Sequence, residues 1–231
     1  MPDSSRRRFL QHAGLGVATL GVSAESLILA ADKTPTPSDA NPAAAEQVLL
    51  KLGPPPKAVK MPDDSKLTSP NPLGPAHRNG APFRGKATPP FEPGQTMVVS
   101  GRVWGFDTKR PLPGAVLDVW LVDIHGRYST KEGDFKNRTR LLTSETGYYE
   151  FETNHPVAYR TGDLWRSAHI HFRIARESYK TLVTELFFES DPKQDVDPIF
   201  NPALVRPVKK ETINGQAVET VAFDIVLEAA A

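Results

Sequence analysis

The feature that most restricts the fold of this chain is a series of short β-rich runs, separated by turns, after about residue 95. The runs are rich in Val, Ile, Phe, Tyr and Thr, and several alternate with a period of two residues. Turn sequences such as DTKRPLPG and SETG separate them, and Asn214-Gly215 is a hairpin signal. Short strands at this spacing, with no helical segments between them, predict an all-β fold, specifically an antiparallel β-sandwich. The runs are TMVVSGRVWG, AVLDVWLVDI, GYYEFET, AHIHFRIA, LVTELFF and VETVAFDIVLE.

Composition excludes several classes of protein. The chain has no cysteine, so a disulfide framework, a zinc ribbon, an iron–sulfur cluster and a thiol nucleophile are ruled out. A formal net charge of +1 gives no reason to expect nucleic acid as a partner. No apolar run approaches the roughly 20 residues of a membrane-spanning helix, so we expect no membrane span in the mature protein.

The first residues have the pattern of an export signal. SRRRFLQ precedes AGLGVATLGVSA, which gives a basic region followed by a weakly apolar one. The pattern resembles a twin-arginine signal, with Arg6 and Arg7 as the twin arginines. It predicts a signal peptide over residues 1–31, cleaved near Ala24 or Ala31, and a periplasmic or secreted protein. The alternative is a basic tail ahead of an amphipathic helix.

Residues 32–86 are rich in proline, with GPPP at 53–56 and SPNPLGP at 69–75. Proline fixes φ and removes a hydrogen-bond donor, so this composition does not suit a central strand or a long helix. The segment is predicted to be a linker or an extended N-terminal arm. NPAAAEQVLLKLG is predicted to form a short helix ending at Gly53. Residues 87–231 are left as the sandwich domain.

WRSAHIHFRI places two histidines one residue apart in a predicted strand. Side chains alternate faces along a strand, so His169, His171 and Arg173 share one face, and Ile170 and Phe172 lie on the other. One face is expected to pack in the core while the other presents nitrogen donors. Taken alone, a His-x-His strand is more often structural than catalytic.

Two tyrosines outside the core periodicity complete a set of candidate metal donors. Tyr128 follows a predicted strand, and Tyr159 is predicted to lie in the loop HPVAYRTG. Together with His169 and His171 they form an oxygen and nitrogen donor set without a carboxylate. Phenolate is a hard anionic donor that suits Fe(III), whereas zinc more often recruits a third His or a carboxylate.

At these residues the sequence resembles the intradiol ring-cleavage dioxygenases, the family of catechol 1,2-dioxygenase and protocatechuate 3,4-dioxygenase. The motifs occur in order between about Gly101 and Pro192, so several independent patterns agree. They are GRV, PLPGAVLDVWLVDIHGRY, RTRLLTSETGYYEFET, WRSAHIHF, TELFF and DP. The chain lacks the long helical N-terminal domain of the catechol 1,2-dioxygenases and is nearer the protocatechuate type.

The resemblance implies a role for each candidate. Tyr128 and His169 match the equatorial ligands of a non-haem Fe(III), and Tyr159 and His171 match the axial ligands. Arg166 matches the active-site arginine, and by strand parity we expect it to reach the iron from the preceding loop. Tyr159 is implied to leave the iron when the substrate binds.

The resemblance also implies the reaction. Both atoms of O2 are inserted into a small aromatic diol by intradiol ring cleavage, which gives a cis,cis-muconate-type product. Which catechol derivative is the substrate stays open. Family members commonly form dimers or larger assemblies, so a homo-oligomer is expected.

Two positions depart from the family pattern. Ser167 stands where proline is usual, and Glu185 stands where glutamine usually faces the active site. Glu185 is open to two interpretations. It is either a charged residue at a sheet edge in water, or a pocket residue that pairs with Arg166 or is protonated by burial.

Two other functions stay open at this point. One is a non-catalytic, transthyretin-like binding module in which the tyrosines pack, and the other is a periplasmic copper or zinc carrier using His169 and His171. Tyr148 and Tyr149 are interpreted as strand-packing residues. His125 and His155 match no family ligand and are expected to be surface or outer-shell residues.

Overall fold

The computed structural model of this chain describes residues 59–213 and 215–231. The predicted signal peptide, its two candidate cleavage sites and the predicted helix ending at Gly53 all lie outside the described residues. Within them no helix is long and apolar enough to cross a membrane. The strands are β1 (Thr96–Gly105), β2 (Val116–Trp120), β3 (Arg138–Leu142), β4 (Tyr148–Asn154), β5 (Tyr159–Thr161), β6 (Leu164–Arg166), β7 (His169–Ala175), β8 (Leu182–Phe188), β9 (Val205–Arg206), β10 (Lys209–Ile213), β11 (Gln216–Ala222) and β12 (Ile225–Leu227). Short 3-10 turns occur at Gln194–Val196 and Pro202–Leu204.

The strands form two five-stranded sheets and one small hairpin. In the first sheet β10 pairs with β11, and β11 and β12 pair with successive parts of β1. β4 pairs with the opposite edge of β1. The second has the order β3-β2-β7-β8-β9, and β5 and β6 pair only with each other. The histidine strand β7 is therefore central in the second sheet.

The core lies between the two sheets. Ile170, Phe172 and Ile174 of β7 are fully buried, as their shared face predicted. The ring of Phe172 contacts Phe151 and Phe223 from the first sheet, with centroids 6.0 and 5.3 Å away. This packing of aromatic side chains from facing sheets confirms the predicted sandwich.

Most strand pairs among the described residues are antiparallel, in line with the predicted sandwich, although both sheets are mixed. β1 pairs in parallel with β11 and β12, and β8 pairs in parallel with β9. The run VETVAFDIVLE, predicted as one strand, is divided by a bend at Phe223 and Asp224. Both halves lie along β1 in the same direction.

Asp224 and Gly101 explain the bend. The Asp224 carboxylate accepts hydrogen bonds from the backbone N–H of Arg102 and the indole N–H of Trp104. A Cβ at Gly101 would lie 2.1 Å from the carbonyl oxygen of Phe223, so only glycine permits this approach.

The small hairpin corrects two placements. Tyr159 is not in a loop, because it is the first residue of β5 and pairs with Arg166 of β6. Arg166 accordingly ends a strand rather than lying in a loop before β7. The hairpin is only three residues long on each side and its outer positions are exposed, so its sequence lacks the apolar alternation of a core strand.

The outer face of the second sheet is polar and is covered by the proline-rich arm. Cross-strand pairing places Arg138, Trp120, His171 and Glu185 side by side on β3, β2, β7 and β8. The backbone N–H of Asn71 in the arm bonds to Val183 in β8. The two histidine side chains therefore project from the outer face of the second sheet, beneath the arm, and not into the core between the two sheets.

Candidate metal centre

Three chain segments bring four candidate donors together. β7 supplies His169 and His171, the short strand β5 supplies Tyr159, and the loop after β2 supplies Tyr128. Gly126 allows the loop to approach, because its φ is +72° and a Cβ there would lie 2.7 Å from the Cβ of Tyr159. Both histidines are almost fully buried, and both tyrosines are partly exposed.

The donor atoms of these residues converge on one point. The Nε2 atoms of His169 and His171 are 3.1 Å apart. Oη of Tyr128 lies 2.9 Å from Nε2 of His171, 3.5 Å from Nε2 of His169 and 3.3 Å from Oη of Tyr159. The structure therefore brings together the four residues that the sequence selected.

Both imidazoles are neutral, and His169 turns an unprotonated nitrogen toward His171. Nδ1 of His169 donates to the backbone carbonyl of Ser167 at 2.6 Å. Nε2 of His169 is therefore unprotonated and carries a lone pair. Burial, together with the charge of Arg166, lowers the pKa of His169 to about 3. Burial and the neighbouring His169 lower the pKa of His171 well below its usual value. The lone pair on Nε2 of His169 lies 3.1 Å from Nε2 of His171 and is available to a cation.

The phenols also favour a cation. Burial raises the pKa of Tyr128 well above 10, with Tyr159 adding to the shift, and burial raises the pKa of Tyr159 as well. Phenolates at both positions would require nearby positive charge. Two imidazole nitrogens and two phenol oxygens fit a hard, highly charged metal ion such as Fe(III).

A network of carboxylates lies directly behind this centre. Arg166 donates through Nη2 to both oxygens of Glu185, at 3.0 and 2.9 Å, and through Nε to Asp197 at 3.0 Å. Asn71 donates to Glu185 at 2.9 Å. Although burial opposes its charge, the two carboxylates raise the pKa of Arg166. Burial raises the pKa of Glu185, while Arg166 and Asn71 favour its ionised form.

Glu185 is thus a pocket residue, and the interpretation as a water-exposed edge residue is wrong. Its side chain is 0% exposed, and β8 lies between β7 and β9. Its Oε1 is 3.1 Å from Nδ1 of His171, although the two atoms are not aligned for a hydrogen bond. His169, His171 and Glu185 could also form a three-residue metal group, so a carboxylate does stand beside the predicted donor set. In this structure, however, both Glu185 oxygens are occupied by Arg166.

Sequence reasoning missed three polar residues at this centre. Asp197 and Asn71 bind the Arg166–Glu185 pair, and His77 of the arm packs edge-on against Trp120 at 4.8 Å. All three are far in sequence from the histidine strand. Asp197 and Asn71 each precede a proline, which is a turn signal but does not indicate a contact with Arg166 or Glu185.

The remaining candidates lie elsewhere. His125 is exposed, and His155 pairs with Glu219. Tyr149 is buried in β4 and donates to the carbonyl of Phe223, whereas Tyr148 bonds to Glu150 at the surface.

A polar cleft of about 390 Å³ opens beside Tyr128. It lies between residues 123–131 and 134–137, and Glu92 and Pro93 form another wall. Tyr128 is the candidate donor that this cleft reaches.

Comparison with known proteins gives consistent matches. The sequence model of the Dioxygenase_C family, described as dioxygenase, matches residues 73–229. A chlorocatechol 1,2-dioxygenase from Rhodococcus opacus is 37% identical over 182 residues, which are 67% of this chain and 70% of that protein. A 6-chlorohydroxyquinol 1,2-dioxygenase from Cupriavidus pinatubonensis is 34% identical over 152 residues, which are 58% of this chain and 55% of that protein. The chain thus spans just over half the length of the second relative.

Solved structures show the same fold. The crystal structure of a 3-chlorocatechol 1,2-dioxygenase from Rhodococcus opacus superposes with a TM-score of 0.67 at 23% identity, covering 81% of this chain and 78% of that one. The dioxygenase domain of a dioxygenase carbohydrate-binding fusion from Streptomyces sp. SirexAA-E gives a TM-score of 0.63 at 29% identity. That match covers 71% of this chain and all of that one.

Proposed function

Because this chain belongs to the intradiol ring-cleaving dioxygenase family, we propose that it inserts both atoms of O2 into a catecholic substrate by intradiol cleavage. The product is a cis,cis-muconate-type diacid. The observation that carries this proposal is the convergence of Tyr128, Tyr159, His169 and His171, with each of the other three donor atoms within 3.5 Å of Oη of Tyr128.

These four residues would hold a non-haem Fe(III). When bound, the iron supplies the electron exchange through which a catecholate reacts with O2. Two phenolate donors favour the ferric state because they place negative charge against the metal.

Tyr159 and Arg166 are the side chains that transfer a proton and stabilise charge in the proposed reaction. Tyr159 is less buried than Tyr128. Burial nevertheless raises its pKa, so its phenolate oxygen is a strong base for a substrate hydroxyl proton. Arg166 stabilises negative charge that develops on the substrate ring. A preorganised donor of this kind typically contributes about 3 kcal/mol in a dry site.

The two other functions are less well supported. A binding module in which Tyr128 and Tyr159 only pack does not account for a Tyr128 hydroxyl that lies 2.9 and 3.5 Å from the nitrogens of two neutral imidazoles. A copper or zinc carrier using His169 and His171 does not account for the phenols, which are poor partners for those ions compared with another His or a carboxylate.

Iron loading and oxygen labelling test the proposal. Purified protein loaded with Fe(III) should become wine-red from phenolate-to-iron absorption, consume catechol with O2 in equal amounts, and place two labelled atoms from ¹⁸O2 in one product molecule. Protein that stays colourless after iron loading, or a product with one labelled atom, would contradict it. Copper or zinc that co-purifies in stoichiometric amount would favour the carrier.

We also propose export through the twin-arginine route and assembly into a homo-oligomer. The export proposal rests on Arg6 and Arg7, which lie outside the described residues. Replacing both with Lys should retain the precursor in the cytoplasm, and continued export would point to another route. Light scattering tests the assembly, and a monomer would contradict it.

A further inference from the structure

Asp197 is a buried carboxylate with an unusual number of hydrogen bonds. Its Oδ1 accepts from Nε of Arg166 and the backbone N–H of Ile199, both at 3.0 Å. Its Oδ2 accepts from the N–H of Ser167 at 2.9 Å and from the Ser167 hydroxyl at 2.8 Å. The side chain is 0% exposed, so water does not compete for these bonds.

This arrangement fixes the guanidinium of Arg166 in one orientation. Nε is bound by Asp197, and Nη2 is bound by both oxygens of Glu185. Two carboxylates on two edges of a planar group leave no freedom of rotation. Nη1 is the one nitrogen of this side chain with no hydrogen-bond partner among the described residues, which makes it the atom available to a substrate.

The same carboxylate holds the link between Arg166 and the histidine strand. Ser167 donates twice to Asp197, and its carbonyl accepts from Nδ1 of His169. The family resemblance implies proline at this position, and proline has neither a backbone N–H nor a hydroxyl to donate. The pairing of Ser167 with Asp197 is therefore a feature of this chain's own sequence.

We propose that Asp197 is a positioning residue that directs Nη1 of Arg166. The functional part of this inference rests on the proposed dioxygenase reaction, because the target of Nη1 is the negative charge of a catecholate. Asp197 itself touches neither candidate donor atoms nor the substrate.

The first test is independent of activity. In the ¹⁵N-labelled, iron-free protein, the Nε–H signal of Arg166, assigned by its loss in Arg166→Lys, should exchange slowly with solvent. In Asp197→Asn that exchange should become at least about tenfold faster, because a neutral amide is a weaker acceptor for a guanidinium. Unchanged exchange in Asp197→Asn would overturn the inference.

A double-mutant cycle in the iron-loaded enzyme tests the functional part. Asp197→Asn should lower kcat for catechol about tenfold, since small misplacements of a catalytic group have large effects on rate. In an Arg166→Gln background the same change should lower kcat less than about twofold, because the group it positions is gone. Equal losses in both backgrounds would overturn the inference.

Two further variants make the outcome decisive. Asp224→Asn alters a carboxylate that also accepts a backbone N–H but lies in the first sheet, and kcat should stay unchanged. If Asp197→Asn does not fold, Ser167→Ala removes one bond to Asp197 and repeats the cycle, with a smaller loss that again requires Arg166. An inactive parent enzyme would refute the proposed function, whereas the Nε–H exchange would still decide whether Asp197 holds Arg166.

Discussion

The indole of Trp120 lies flat against the imidazole of His171, with ring centroids 4.8 Å apart and ring planes 6° apart. The two residues are direct cross-strand partners on β2 and β7. Stacking over this area restricts rotation of the imidazole about its χ2 angle. Since Nδ1 of His171 makes no aligned hydrogen bond, Trp120 restrains the side of the ring that faces away from the donor centre.

Trp120→Leu should therefore weaken iron binding while the β-sandwich still folds. We expect at least about a tenfold loss of iron affinity, in the range seen when supports of metal ligands are removed. Trp120→Phe keeps a ring on His171 and should retain most of the affinity. Iron per chain, measured after dialysis against a weak chelator, provides the comparison. Equal iron retention by the Leu and Phe variants would show that stacking does not matter.

His169→Ala should abolish iron retention, because it removes one of four protein donors from the centre. Tyr128→Phe should have the same result, since Oη of Tyr128 faces the other three donor atoms. His125→Ala is the matched control, because His125 is exposed and should leave iron content unchanged. Normal iron content in His169→Ala would remove that residue from the ligand set.

Tyr159→Phe should impair turnover more than iron retention. The phenolate of Tyr159 is proposed to accept a substrate proton, and three metal donors remain without it. The variant should keep part of its iron, and the change in visible absorption on adding catechol should be smaller than in the parent. Full activity in this variant would exclude Tyr159 from the mechanism.

Glu185→Gln should increase the rate with catechol severalfold. The amide keeps an acceptor for Nη2, and Asp197, itself anchored by Ser167, still holds Nε, so the guanidinium keeps its orientation while one of the two negative charges that neutralise it is removed. More of the positive charge of Arg166 then acts on a bound catecholate. Steady-state kinetics with matched iron content is the measurement. An unchanged or lower rate would mean that Glu185 does not weaken Arg166.

The unfolding free energy should fall above pH 10. Tyr149 is fully buried, and burial with nearby Asp224 raises its pKa well above 10. Because the unfolded chain ionises this phenol near pH 10 and the folded chain does not, stability is complete below that pH and is lost as pH rises. The loss should approach about 1.4 kcal/mol per pH unit for each such tyrosine.

Tyr149→Phe should reduce that alkaline slope. At neutral pH it should cost about 1 kcal/mol, because the carbonyl of Phe223 loses a donor. Urea unfolding at several pH values measures both effects. An alkaline slope identical to that of the parent would show that Tyr149 does not contribute.

The strands predicted correctly from the sequence are those with a distinctive local pattern of apolar and turn residues. β1, β4 and β7 were recognised because their apolar residues alternate, and β8 because it is a short run of β-branched and aromatic residues. β3 was not, because Arg138 and Arg140 occupy its outer face and leave little apolar signal. The bend at Asp224 was missed because it depends on a contact with Arg102, which is 122 residues away.

The same limit applies to the centre. His169 and His171 share a strand, so period two alone placed them together. The pairing of Arg166 with Glu185 was one of two alternatives, whereas the bond to Asp197 was not foreseen, since it depends on how β6 and the Gln194–Val196 turn meet in space. Glu185 looked equally suited to water because both faces of LVTELFF carry apolar residues.

The hydrogen bond between Asn71 and Glu185 joins residues that are 114 positions apart. Asn71 is synthesised long before β7 and β8, yet its partner carboxylate and the histidines beside it belong to those strands. The part of the arm around Asn71 must therefore wait for its partners until β8 has left the ribosome. Contacts of this length form slowly, because the intervening chain has to be closed into a loop first. We therefore expect docking of this segment to be a late folding event, with the outer face of the second sheet open to small ions until it occurs.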